Sequence, residues 1–269
     1  MPVFCVRGKR ALNKYSRDPD SYQNVLVRAD SKDDAREVGR NTLAYALEGP
    51  IAVTGILEID HGDKTSVPFG LDYKKPWYAQ RLVFFDLETT GLTEEDRIIE
   101  IGLAVYNTET KQFEEAESTY VNPEGRESHP KAQEVHQIDP EMLEEAPMFA
   151  EVVEDVLAPY MEDTIWIAHN YGFDWSFFVR HLKAAGYDKP LPPCLCSYAL
   201  ATVTDCGQED NKLNTLSEHF DVKLENHHKA IDDALAGGNV FMKLARKNAS
   251  LRNAKTTREI IAYFDAIVS

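Results

Sequence analysis

No stretch of this sequence approaches the roughly 18 consecutive apolar residues that a membrane-crossing helix needs. The opening residues, MPVFCVRGKR, lack the apolar core of a secretory signal. Cysteine is scarce as well. Four thiols in 269 residues, at positions 5, 194, 196 and 206, give neither a dense disulfide framework nor paired CxxC zinc knuckles. Cys194 and Cys196 could form a redox pair, but they read first as small thiols packed on a short strand. The expectation is a reduced, cytoplasmic chain with no membrane partner. Positive charge is also short, with 29 Lys and Arg against 45 Asp and Glu and a net charge of -16, which argues at first against a polyanionic partner.

That deficit is uneven. Residues 1–80 carry 12 basic against 11 acidic side chains, whereas residues 81–269 carry 17 against 34. Arg7, Lys9, Arg10, Lys14 and Arg17 follow one another without an intervening acid. They read equally as a basic arm for a phosphate backbone and as an ordinary charged surface connection.

The front resembles a small α+β unit: strands at 3–8 and 23–30, a helix opened by Ser31 with Asp33 and Asp34 in its first turn, and a strand at 51–59 after Gly49-Pro50. Residues 1–60 are thus expected to be a small accessory domain of unknown role. Residues 61–80, with two Gly and two Pro and no sustained periodicity, are expected to be a linker, although Tyr73, Trp77 and Tyr78 suggest that part of it packs down. From 81 to 269 the pattern is that of one larger domain. Three strands (82–88, 97–107, 113–123) have connections short enough for antiparallel neighbours. A helix near 148–161, a strand at 164–169, a helix at 174–185, a short strand at CLCS and helices near 211–220, 230–246 and 256–268 complete the order. The expected fold is α/β, a ribonuclease H-like mixed five-stranded sheet flanked by helices, with the small α+β domain in front.

The first strand carries the chemistry. In RLVFFDLETTGL, Asp86 and Glu88 are two apart, so they share a face while Leu87 enters the opposite packing layer. Two neighbouring carboxylates at a buried strand end repel unless something positive sits between them, and a hard divalent cation is the usual solution. Two more junctions end in acids. IAHNYGFDWSFF leaves Asp174 at a helix start, where alone it would read as a cap. ENHHKAIDDALAGG puts two histidines, Asp232 and Asp233 at another, where acids favour the helix dipole.

Together, Asp86-Leu87-Glu88, Asn170-Tyr171-Gly172-Phe173-Asp174 and His228-Lys229-Ala230-Ile231-Asp232-Asp233 resemble the three motifs of the DEDDh 3′–5′ exonucleases, most of all the proofreading epsilon subunit of bacterial DNA polymerase III and its relatives. The pattern H-x-A-x-x-D selects His228 over His227 and Asp233 over Asp232, since only that register puts alanine at 230. Val135-His136-Gln137-Ile138 is similar to a V-H-G-I segment of such enzymes, with Gln137 in place of glycine, and Leu213, Leu216 and Phe220 match the leucine-spaced helix before the third motif. The resemblance covers residues 81–247 and leaves residues 1–80 aside.

It implies a metal-dependent hydrolase releasing nucleoside monophosphates from 3′ ends, preferably of single-stranded DNA. Asp86, Glu88, Asp174 and Asp233 would hold two divalent cations, Mg²⁺ or Mn²⁺, and His228 would take the proton from the attacking water. Thr89, Thr90, Gly91 and Leu92 would form the turn that receives the terminal nucleotide, with His136, Asn170 and Phe173 nearby. The same residues suit RNA 3′ ends, so an exoribonuclease remains an alternative, as does an idle nucleic-acid-binding scaffold.

Overall fold

The computed structural model describes the backbone of residues 3–10, 22–46, 51–59 and 71–268, and the side chains of residues 29–40 and 71–268. Lys14 and Arg17 of the basic run, and residues 61–70 of the expected linker, lie outside the described residues. Strands β1 (Val3–Arg10), β2 (Tyr22–Arg28) and β3 (Ile51–Ile59) form an antiparallel sheet in the order β2-β1-β3, accompanied by helix α1 (Lys32–Ala46). Ser31 caps α1, its Oγ accepting from the backbone N–H of Asp34 at 3.2 Å. Strand β1 runs two residues beyond the expected end, so Arg7, Lys9 and Arg10 lie on the strand itself and not on a connection.

The larger sheet is built around β4 (Arg81–Thr89), whose Leu82, Val83, Phe84 and Phe85 are all essentially inaccessible. Apolar side chains on both faces make it a central strand. β5 (Ile98–Asn107) pairs antiparallel with it, and β6 (Gln112–Tyr120) pairs antiparallel with β5 at the edge. β6 is largely exposed and carries Glu114, Glu115 and Glu117, charges that suit a solvent-facing edge. β7 (Thr164–Ala168) and the short β8 (Cys194–Cys196) add in parallel on the other side, giving the order β6-β5-β4-β7-β8.

Helices cover both faces. The short α2 (Pro130–His136) and α3 (Pro140–Glu144) begin the connection from β6 to β7. Each has an N-cap side chain, His129 and Asp139, and a proline at its first position, where a missing N–H costs nothing. The helix expected at 148–161 is α4 (Phe149–Val152) followed by a wide turn at Val153–Leu157 and a tight one at Ala158–Tyr160. Pro159 explains the break, since it has no N–H to donate and its ring crowds the carbonyl four residues back. Helix α5 (Tyr171–Ala184) follows β7, and α6 (Ser197–Thr202) follows β8. Then come α7 (Leu213–His219), α8 (Ala230–Lys247), α9 (Ala249–Asn253) and α10 (Thr257–Val268).

Alternation along β4 sorts these layers. Val83, Phe85 and Leu87 join Trp166, Phe178 and Leu157 on the α4–α5 side, where the Trp166 and Phe178 rings stack at 5.0 Å. Leu82 and Phe84 join Val240, Phe241, Leu244 and Tyr263 on the α8–α10 side. By the same parity Asp86 and Glu88 belong to the α8 side. Leu71 and Trp77 are buried in that second layer, and the Trp77 indole N–H donates to the Leu251 carbonyl at 3.3 Å. Residues 71–80 therefore pack against the larger sheet's helices. Among the described residues no helix is long and apolar enough to cross a membrane.

Candidate active site

The register of β4 against β5 sets Asp86 opposite Gly102 and Glu88 opposite Glu100, and then shifts between Glu88 and Thr89. Such an irregularity releases the chain from the ladder, and Thr89-Thr90-Gly91 turns away just past the acids. Helix α8 enters over this strand end. A Cβ built on Gly102 would lie 2.1 Å from the Ala230 carbonyl carbon, so the helix start rests directly on the β5 backbone. Ala230 is wholly buried there. The close approach explains why small residues stand at both positions, and it brings Asp233, one turn into α8, over β4.

One carboxylate oxygen each from Asp86, Glu88 and Asp233 lies within 4.8 Å of the other two. Glu88, Asp174 and Asp233 are buried at 9%, 3% and 5% exposure, and Asp86 is half-buried. Asp174 comes from the first turns of α5, where its backbone N–H bonds the Asn170 carbonyl at 3.1 Å. The electrostatics record the crowding. Burial, then the charges of Asp174, Asp233, Glu88 and Glu100, drive the Asp86 carboxyl well above the usual carboxylate range. Burial together with Asp233, Glu100 and Asp174 pushes Glu88 up to about 8. Asp174 rises to about 7 through burial, against the pull of backbone N–H groups of Asp174, Leu87 and Asn170.

His227 contacts Asp233, but lysine and arginine relieve none of this among the described residues. Among the described residues, none of the lysine or arginine ion pairs reaches Asp86, Glu88, Asp174 or Asp233. Buried carboxylates gathered without a cation have the donor chemistry of a hard divalent-ion site, and the residues present fit such an ion.

Sequence reasoning missed Glu100. It is 4% exposed, accepts a short hydrogen bond from Ser118 Oγ, and accepts from the Ala230 N–H at 3.4 Å. It thereby satisfies the first N–H of α8 while adding a fifth carboxyl beside the cluster. Only the strand register could have revealed it, because Glu100 becomes a neighbour of Glu88 across the ladder and not along the chain.

The histidines are arranged unevenly. His227 Nδ1 lies 3.0 Å from both carboxylate oxygens of Asp233, while His228 offers Asp233 its backbone N–H at 3.1 Å. His228 sits in the left-handed region (φ 74°), and its ring stacks on that of His227 with centroids 3.8 Å apart. Burial and the neighbouring His227 lower the His228 pKa, against the pull of Asp233. The imidazole in contact with Asp233 is thus that of His227, which the sequence pattern sets aside.

Two cavities flank the acids. One of about 920 Å³ is lined by Glu88, Thr89, Gly91, Leu92, His136 and Phe173, with Arg126, His129 and Lys131 on its far wall. Leu92 is 82% exposed at this opening. Thr90, expected in the same pocket, is fully buried beneath it, where its Oγ1 accepts from the Arg97 N–H and donates to Asp96. His136 is fastened by its own ring: Nδ1 accepts from the Ile138 N–H at 3.0 Å, and Nε2 lies 3.2 Å from Ser128 Oγ. Asp96 ties the two walls. It accepts from the Thr93 N–H and hydroxyl at 2.7 Å and from Arg126 Nε and a terminal nitrogen at 3.0 and 2.9 Å. Hydrogen bonds from Thr93 and Arg126 outweigh burial and hold Asp96 down at about 2. The other cavity, about 630 Å³, is lined by Asp86, Asp233, His227, Tyr198, Lys212 and Asn170 among others, so Asn170 stands away from the other expected pocket residues.

The profile of the exonuclease family named for RNase T matches residues 83–241. A PolC-type DNA polymerase III of Caldanaerobacter subterraneus subsp. tengcongensis is 31% identical over 214 residues, which is 79% of this chain and 14% of that protein. The 3′–5′ exonuclease DinG of Bacillus subtilis is 32% identical over 171 residues, 62% of this chain and 18% of that protein. The chain therefore spans less than a fifth of the length of either relative. Among solved structures, E. coli exonuclease I in complex with a dT13 oligonucleotide superposes with a TM-score of 0.55 at 18% identity, covering 64% of this chain and 42% of that one. Exonuclease X in complex with 5′ overhanging duplex DNA gives 0.50 at 22% identity, covering 67% and 99%.

Proposed function

Because this chain belongs to the exonuclease family, DEDDh hydrolases of phosphodiester bonds with a ribonuclease H-like fold, we propose that it removes nucleoside monophosphates from the 3′ ends of single-stranded DNA. The observation that carries the reading is the set of crowded acids with no lysine or arginine ion pair among the described residues. Asp86, Glu88 and Asp233 would hold one divalent ion, Mg²⁺ or Mn²⁺, and Asp86 with Asp174 a second. Such a pair, when bound, stabilises charge on the attacking and leaving oxygens of an in-line displacement.

The chain's own groups do the rest. His228, whose lowered pKa leaves it neutral at physiological pH, accepts the proton of the attacking water at a ring nitrogen. The 920 Å³ cavity is roomy enough for a nucleotide. There Leu92 and Phe173 offer apolar surface to the base, Gly91 permits close backbone approach, and Thr89 and His136 shape the wall. A terminal nucleotide reaches this pocket once it is separated from its complement, which favours single strands.

Residues 1–60 are proposed as an accessory module for docking a polymerase or another protein. The packing of Leu71 and Trp77 supports a boundary to the exonuclease unit near residue 70. The test is direct: purified protein with Mg²⁺ or Mn²⁺ is given 3′-labelled DNA and RNA of matched sequence. Faster shortening of DNA supports the proposal, faster RNA shortening moves the substrate to RNA, and no metal-dependent cleavage of either refutes the enzymatic reading.

A further inference from the structure

Asp233 belongs to two separate groups of convergent ligand atoms. With Asp86 and Glu88 it makes an all-oxygen set, and with His227 and His228 a mixed nitrogen–oxygen set. In the mixed set too, one ligand atom from each residue lies within 4.8 Å of the others. His227 Nδ1 stands 3.0 Å from Asp233, close to the roughly 3.3 Å that two ligands on one tetrahedral ion keep at metal–ligand bonds near 2.05 Å. The left-handed turn at His228 brings the two rings together in a stack, centroids 3.8 Å apart, and the exposed His227 ring must turn out of that stack for both nitrogens to reach one ion. His227 is exposed, which gives an ion a route in.

The two groups differ in taste. Oxygen ligands suit hard Mg²⁺ or Mn²⁺, whereas imidazole nitrogen favours borderline ions such as Zn²⁺, which N/O sites bind more tightly than Mn²⁺. We propose that His227, His228 and Asp233 form a second cation site that prefers Zn²⁺ to Mg²⁺ and Mn²⁺, and that an ion held there silences hydrolysis. The silencing rests on the exonuclease reading: His228 bound to metal has no lone pair for a proton, and Asp233 shared with that ion donates less to the ion of the carboxylate cluster.

Two measurements test this on the full chain. In the first, ZnCl₂ is added to Mg²⁺-supported hydrolysis of a 3′-labelled single strand, each variant normalised to its own zinc-free rate. The half-inhibiting concentration should rise at least ~10-fold in His227→Gln. Equal sensitivity of the two chains, or no inhibition of the wild type, overturns the switch. In the second, chelator-stripped protein is titrated with CoCl₂. Intense visible bands of four-coordinate cobalt are expected in the wild type and should be lost in both His227→Gln and His228→Gln; identical spectra in all three overturn the site. If the chain cleaves no nucleic acid at all, the exonuclease reading fails by itself, and the cobalt spectra still decide whether the histidine site exists.

Discussion

Asp86 stands half-buried among four other carboxylates, and its charged form has only their repulsion and poor solvation for company. A carboxyl whose folded pKa is raised binds more protons folded than unfolded, so stability is greatest below the unfolded pKa and is lost as pH climbs to the folded one. With Glu88 at about 8 and Asp174 at about 7, the metal-free chain should lose melting temperature steadily from pH ~4 to pH ~8. Thermal unfolding with a chelator across that range measures it, and a saturating divalent ion should flatten the slope. Replacing Asp86 with Ala should abolish cleavage, by at least ~10³-fold, while raising the melting temperature of the chelated protein, because one poorly solvated carboxyl is gone. His228→Ala should lose ~10²- to 10⁴-fold in kcat with calorimetric Mn²⁺ affinity retained. An unchanged rate would remove His228 from the mechanism.

At the scale of elements, the site depends on how α8 meets β5. A methyl group at position 102 would fall within 2.3 Å of three backbone atoms of Ala230 and Ile231. Backbone cannot rotate aside as a side chain can, so Gly102→Ala should shift the helix start, costing about 1–3 kcal/mol by denaturant titration and most of the activity. The Asp96–Arg126 pair acts on the pocket instead. Arg126 is partly exposed, so Arg126→Ala should leave the fold intact, raise KM for a single-stranded end several-fold and leave kcat within about twofold, with partial rescue by Arg126→Lys. The sequence displayed some of this plainly. The apolar run of β4, the helical spacing of α8 and the three acidic junctions were readable because each signal is local. Helices α2 and α3 carried their cap-and-proline signals at His129-Pro130 and Asp139-Pro140, yet they are too short for periodicity to register. Glu100 and the Asp96–Arg126 pair were hidden for another reason: their partners are supplied by strand register and by a loop 30 residues away.

For the whole molecule, the net charge of -16 opposes a polyanionic substrate, and bound cations would reverse the local field at the acidic cluster. On the proposed mechanism, fluorescence anisotropy with a 3′-labelled oligonucleotide should detect binding in Ca²⁺, and at least ~10-fold weaker binding with a chelator. Equal affinity in the two conditions would assign recognition to other surfaces. The elevated carboxyls of the cluster have a further consequence. Near neutrality they retain hydrogen ions that an arriving divalent ion must evict, so loading the protein should acidify an unbuffered solution. Apparent affinity for magnesium should consequently climb as the medium becomes more alkaline, and calorimetry repeated in buffers of different ionisation enthalpy would count the hydrogen ions expelled.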